Sequence, residues 1–146
     1  MSDRQKHIPV LLPTPDRRQC EMALDELVAR NVDGISLALL AYRDGHPYLF
    51  RGKELQNAGK LAAMASSMAA LSGTMLREID SDSGEMTLLQ GKKGKIIILQ
   101  VPAANNLMLL AVHTTEEVNL GLLLAHTKSC VTKVAASFGA AQAGQP

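Results

Sequence analysis

Residues 107–112, LMLLAV, are apolar at every position, so a strand built from them has no wet face. A strand with one side in water alternates apolar and polar residues. A run like this one belongs inside a sheet that is covered on both sides. The pattern recurs in residues 35–42, ISLALLAY, where only Ser36 breaks it, and in Ile96-Ile97-Ile98-Leu99. A sheet of this kind needs a helical layer on each face, which points to a three-layer sandwich.

The chain supplies helices to build those layers. Thr14-Pro15-Asp16 reads as a helix start with Thr14 as N-cap and Pro15 at the first helical position. Behind it, Cys20, Ala23, Leu24, Leu27 and Val28 recur at helical spacing. Asp33-Gly34 ends that unit. After the strand at 35–42, Arg43-Asp44-Gly45-His46 is a hairpin turn centred on Asp-Gly. Residues 47–51 return as a strand that Pro47 confines to a sheet edge.

A long helix is expected over 54–79. Leu61, Met64, Met68, Leu71 and Met75 give it bulk on successive turns, while Ala58, Ala62, Ala65, Ala69 and Gly73 form a second stripe of small residues. Such a helix is too apolar all round for one face to be fully solvated. Residues 85–90 alternate, 95–101 form a buried strand, and Gly91-Lys92-Lys93-Gly94 and residues 102–106 make the hairpin turns. Thr114 with Glu117 fits a capping box, and the last helix runs from about 117 to 138, opening on Asn119-Leu120-Gly121-Leu122.

The order is α-β-β-α-β-β-β-α, an α/β (α+β) sandwich around a five-stranded antiparallel sheet. Residues 1–13 read as a flexible arm, 14–138 as one domain and 139–146 as a fraying tail. The 146 residues suffice for one self-supporting core.

Composition removes several function classes. A net charge of +1 lacks the basic face that a general nucleic-acid binder needs. No run of about 20 apolar residues exists to insert in a membrane. No signal peptide is visible, and two cysteines, Cys20 and Cys130, are too few for a disulfide framework. A reduced cytoplasmic setting is the expectation. Apolar residues are 47% of the chain and aromatics 3%, so aliphatic side chains and Met build the core, with a surplus for a partner surface.

No motif carries catalysis. Asp80, Asp82 and Gly84 glance at a calcium loop, but the glycine comes one position early and Gly91 stands where the closing Glu belongs. Gly91–Lys95, GKKGK, lacks phosphate-loop spacing and joins two strands instead of opening a helix. His7, His46, His113 and His126 never fall at metal-ligand spacing. Cys20 and Cys130 read as buried thiols, and Ser66-Ser67 as small packing residues without a nucleophile elbow. Arg43 and Arg51 read as strand-end charges ahead of an arginine finger. No cofactor, metal or catalytic residue is expected.

Three segments together resemble the Roadblock / dynein light chain family. They are LDELVARNVDGISLALLAYRDGHPYLF (24–50), KLAAMASSMAALS (60–72), and LMLLAV with NLGLLL (107–124). The resemblance implies that the long middle helix covers one face of the sheet and the two terminal helices the other. It implies homodimers or heterodimers joined through the middle helices and an edge strand. It also implies a non-enzymatic regulator or scaffold of a Ras-like small GTPase, GTPase-activating in MglB-like bacterial versions that serve motility or signalling. The alternative is a nucleotide-independent adaptor in a motor or signalling complex. A small-molecule sensor or enzyme ranks last, because no polar cluster converges in the sequence. The expected dimer interface is the small ladder Ala58, Ala62, Ala65 and Ala69, with Met86 and Leu88 on the edge strand.

Overall fold

The structure, a computed structural model, describes residues 13–30, 34–52, 57–81, 85–115 and 118–143, with side-chain environments as far as residue 139. Residues 1–12 of the expected arm, the start of the middle helix at 54, Asp82 and Gly84, Glu117 and residues 144–146 lie outside the described residues. The elements are α1 (Arg17–Arg30), β1 (Ile35–Tyr42), β2 (Pro47–Gly52), α2 (Ala58–Glu78), β3 (Met86–Gln90), β4 (Gly94–Gln100), β5 (Met108–Thr115) and α3 (Leu120–Ala143). This is the α-β-β-α-β-β-β-α order expected.

The five strands form one sheet in the order β2-β1-β5-β4-β3, antiparallel throughout. The doubly apolar strands β1, β5 and β4 occupy its interior. β2 takes one edge, as Pro47 requires, and β3 the other. At the β1–β2 turn the Asp44 carboxylate accepts from the His46 backbone N–H at 3.1 Å and pairs with the His46 ring at 2.9 Å.

Two cores result. On one face α1 and α3 bury Leu24, Leu27, Leu123, Val134 and Phe138 against Leu40, Ile97, Leu99, Leu110 and Val112. On the other, α2 lies alone over Leu39, Ala41, Ile98, Leu109 and Ala111. The stripe Cys20, Ala23, Leu24 and Leu27 faces inward as read, with Val28 packed at its rim.

Three helix boundaries differ from the sequence reading. Asp16, not Thr14, caps α1: its carboxylate accepts from Gln19 N–H at 3.1 Å and its carbonyl from Cys20 N–H at 3.1 Å. Pro15 is buried instead of opening the helix. Thr114 caps nothing. β5 continues through it because Gly34 accepts from Thr115 N–H at 2.9 Å, and the Thr114 hydroxyl donates to Lys95 O at 3.4 Å. Asn119 is the cap of α3, its side chain accepting from Leu122 N–H at 3.0 Å. α3 then runs to Ala143, five residues beyond the expected end. α2 closes in a Schellman motif. Asp80 N–H donates to Arg77 O and Ser81 N–H to Leu76 O, with Asp80 itself left-handed at φ 53°.

Candidate functional site: the outward face of α2 and the β3 edge

The small stripe of α2 faces its own sheet. Ala58, Ala62, Ala65 and Ala69 lie against Leu39, Ala41, Ile98, Leu109 and Ala111, and Gly73 is buried with them. Ala62 is 0% exposed in the single chain. The four alanines expected at an interface are thus buried within the single chain, and the outward surface of α2 is made by other residues. The physical reason is size. Small side chains on the contacting stripe let the α2 backbone come close to the sheet.

The bulk points the other way. Met64, Leu71 and Met75 are 59, 56 and 62% exposed, with Met68 half-buried between them. Their 4-3-4 spacing is that of a seam that packs against another helix. Two hydroxyls on this exposed side bond back to the helix's own carbonyls. Ser67 donates to Ala63 O and Thr74 to Ala70 O, each at 3.0 Å, which satisfies their hydroxyls within the helix. The sequence had shown this bulky stripe, but its spacing alone did not say which stripe met the sheet.

β3 adds a second apolar surface. Met86, Leu88 and Leu89 are each more than one-third exposed on this edge strand. Pairing with β4 sets Met86 and Leu88 opposite Leu99 and Ile97, on the two-helix face, and Leu89 opposite Ile96, on the α2 face. Of the six residues expected at an interface, Met86 and Leu88 are the two that remain accessible.

The Roadblock/LC7 domain family matches residues 21–113. This chain belongs to that family. Solved structures share its fold. Myxococcus xanthus MglB superposes with a TM-score of 0.75 at 16% identity, covering 84% of this chain and 96% of its own. The gliding protein MglB from Thermus thermophilus gives 0.76 at 17%, covering 91% and 98%. An MglB with a tetrameric arrangement gives 0.75 at 20%, covering 90% and 96%. No curated protein matches by sequence.

The remaining reactive groups of this Roadblock/LC7 domain are placed for structure. Arg51 pairs with Asp25 at 2.6 Å and ties β2 to α1, and Arg43 donates to Asn105 O at 3.2 Å. Ser66 donates to Arg43 O and anchors α2 to the first hairpin. Cys20 and Cys130 are buried and unbridged. Burial pushes the Cys130 thiol up to about 12 and raises Cys20 as well, so neither is a thiolate nucleophile near neutral pH. Among the described residues no three His, Cys, Asp or Glu side chains could hold a metal ion, and no helix is long and apolar enough to cross a membrane. One polar pair was not foreseen: Ser36 Oγ lies 2.6 Å from His113 Nδ1. Its partners are 77 residues apart, and no local motif announces it.

Proposed function

We propose that this Roadblock/LC7 domain is a non-enzymatic, dimeric regulator of a Ras-like small GTPase. The observation that carries the dimer is the outward seam of α2, Met64, Leu71 and Met75, together with the exposed edge strand β3, which shows Leu89 on the α2 face and Met86 and Leu88 on the opposite one. An edge strand left open is a template for uncontrolled pairing, and a closed dimer removes that hazard. The tetrameric arrangement of one MglB with a similar fold supports self-assembly. The GTPase reading rests on the family resemblance and on the MglB-like fold, and the gliding-protein neighbour suits a role in motility or polarity. Buried, unbridged thiols suit a reducing cytoplasm.

Regulation needs no donated catalytic residue. A partner that binds the GTP-bound conformation more tightly than the GDP-bound one shifts the GTPase toward the former by its differential affinity. The test is direct. The purified chain is titrated against small GTPases encoded near it, loaded with GDP or a non-hydrolysable GTP analogue, and single-turnover hydrolysis is followed. Nucleotide-selective binding or an altered hydrolysis rate is expected. Equal affinity for both forms, with unchanged hydrolysis, makes the protein an adaptor instead. No binding to any of them overturns the GTPase reading.

A further inference from the structure

Among the described residues, the α2 face of the sheet is not fully covered. Beside the first turns of α2 lies a groove of about 450 Å³, walled by Leu37, Leu61, Met64 and Ile96 and reached by Ser36, Asn57, Lys60 and His113. A second hollow of about 510 Å³ adjoins it at Ile96 and His113 and brings Lys93 to its rim. Both volumes are in the range of small-molecule sites, which pair apolar walls with a few polar groups.

Those polar groups are held in place by the fold. The β1–β5 register slips between Ile35 and Leu37, so Ser36 is the extra residue of a β-bulge. Bulges re-aim side chains, and this one sets Ser36 Oγ at 2.6 Å from His113 Nδ1 and 3.2 Å from His113 O. At the shorter of these distances the hydroxyl donates to Nδ1, which leaves the ring proton on Nε2. The Nε2–H is then a donor free of this contact.

Two glycines permit this arrangement. A Cβ on Gly52 would stand 2.4 Å from Ser36 O, and one on Gly94 would stand 2.3 Å from Thr114 O and 3.3 Å from His113 Nε2. Any other residue at either position would displace the bulge or the imidazole.

The described residues that line the groove carry positive charge. Among the described residues lining the two hollows there are two lysines and one histidine, and no carboxylate. Among these described residues there is no guanidinium fork and one lysine lines each hollow, which suits one negative charge better than a phosphate.

We infer that this groove binds a small amphiphilic carboxylate, its head between the His113 Nε2–H and the Lys60 ammonium and its aliphatic body along Leu37, Leu61, Met64 and Ile96. The sequence reading ranked a small-molecule sensor last because no polar cluster converged. The bulge and the β4–β5 pairing assemble that cluster from distant positions. The binding chemistry is independent of the GTPase reading, but the groove shares Met64 with the proposed dimer seam, so the test is read at concentrations on both sides of dimerisation.

The test titrates the full-length, isotope-labelled protein with sodium octanoate, using octylamine and sodium acetate as controls, and follows backbone amides and the His113 ring by NMR. Saturable one-to-one shifts centred on Ser36, Leu37, Leu61 and His113 are expected. Octylamine should give none at the same concentration, and acetate should bind far more weakly. His113→Gln and Lys60→Gln, both at exposed positions, should fold normally and weaken octanoate by about tenfold each.

Four outcomes would overturn the inference: shifts that never saturate, equal binding of octylamine, shifts centred on Leu71 and Met75, or undiminished affinity in both variants. Binding that appears only when the protein is diluted to monomer would also overturn it, by showing that a second copy fills the groove.

Discussion

The two helical layers of this domain are built on opposite plans. In the α1/α3 layer the large residues Leu24, Leu27, Leu123, Val134 and Phe138 face the sheet. Charged residues face water there, with pairs such as Arg17–Glu21 at 3.3 Å and Arg30–Glu26 at 2.6 Å. In the α2 layer alanines face the sheet, while Met64, Leu71 and Met75 face out. A helix that only completes its own domain needs no apolar outer face. The inverted plan of α2 makes sense when its outer face has a partner of its own.

The first test of this contrast is the largest in effect. Leu24→Ala opens a cavity in the thick layer and should cost about 2–5 kcal/mol in urea unfolding. A loss near that of a surface change would show that this layer is not the main core.

Next, Ala65→Leu forces bulk between α2 and the sheet and should destabilise the fold by about 1–3 kcal/mol. Ala70→Leu, on the exposed side of the same helix, should stay within about 0.5 kcal/mol. If Ala65→Leu instead left unfolding unchanged and only split a dimer, the small stripe would be an interface after all.

Third, Leu71→Ser with Met75→Ser should leave the monomer's unfolding midpoint nearly unchanged but weaken self-association. In a two-fold dimer each substitution counts twice, so a rise of at least about tenfold in the dimer Kd is expected by sedimentation. An unchanged Kd would place the interface elsewhere.

The smallest effect lies in the charged rim. The Lys133 ammonium donates to Glu26 and, with Arg30, holds the Glu26 carboxyl below its ordinary range. The folded state therefore keeps Glu26 ionised to lower pH than the unfolded chain does. The stabilisation is present above the ordinary glutamate range and is lost as pH falls through the depressed value. Urea midpoints taken from about pH 7 to about pH 3 should show a slightly steeper acid loss in wild type than in Glu26→Gln. Parallel curves would mean that the exposed pair is fully screened.

Side-chain pattern alone determined a good deal of this protein. Strands without a wet face had to lie inside a covered sheet, Pro47 had to sit on an edge, and Asp44-Gly45 had to turn the chain. These are local consequences of sterics and backbone hydrogen bonding, so residues near in sequence suffice to read them. The tertiary structure decided what depends on competition between distant partners. α2 carries two apolar stripes of the same period, and only the sheet beneath it selects the smaller one for contact. Thr114 and Asn119 are both able to cap a helix, and the pairing of β5 with β1 and β4 takes Thr114 for the sheet. Ser36 and His113 meet because a register slip adds one residue to β1, and such a slip is set by how strands pair rather than by any one strand's composition.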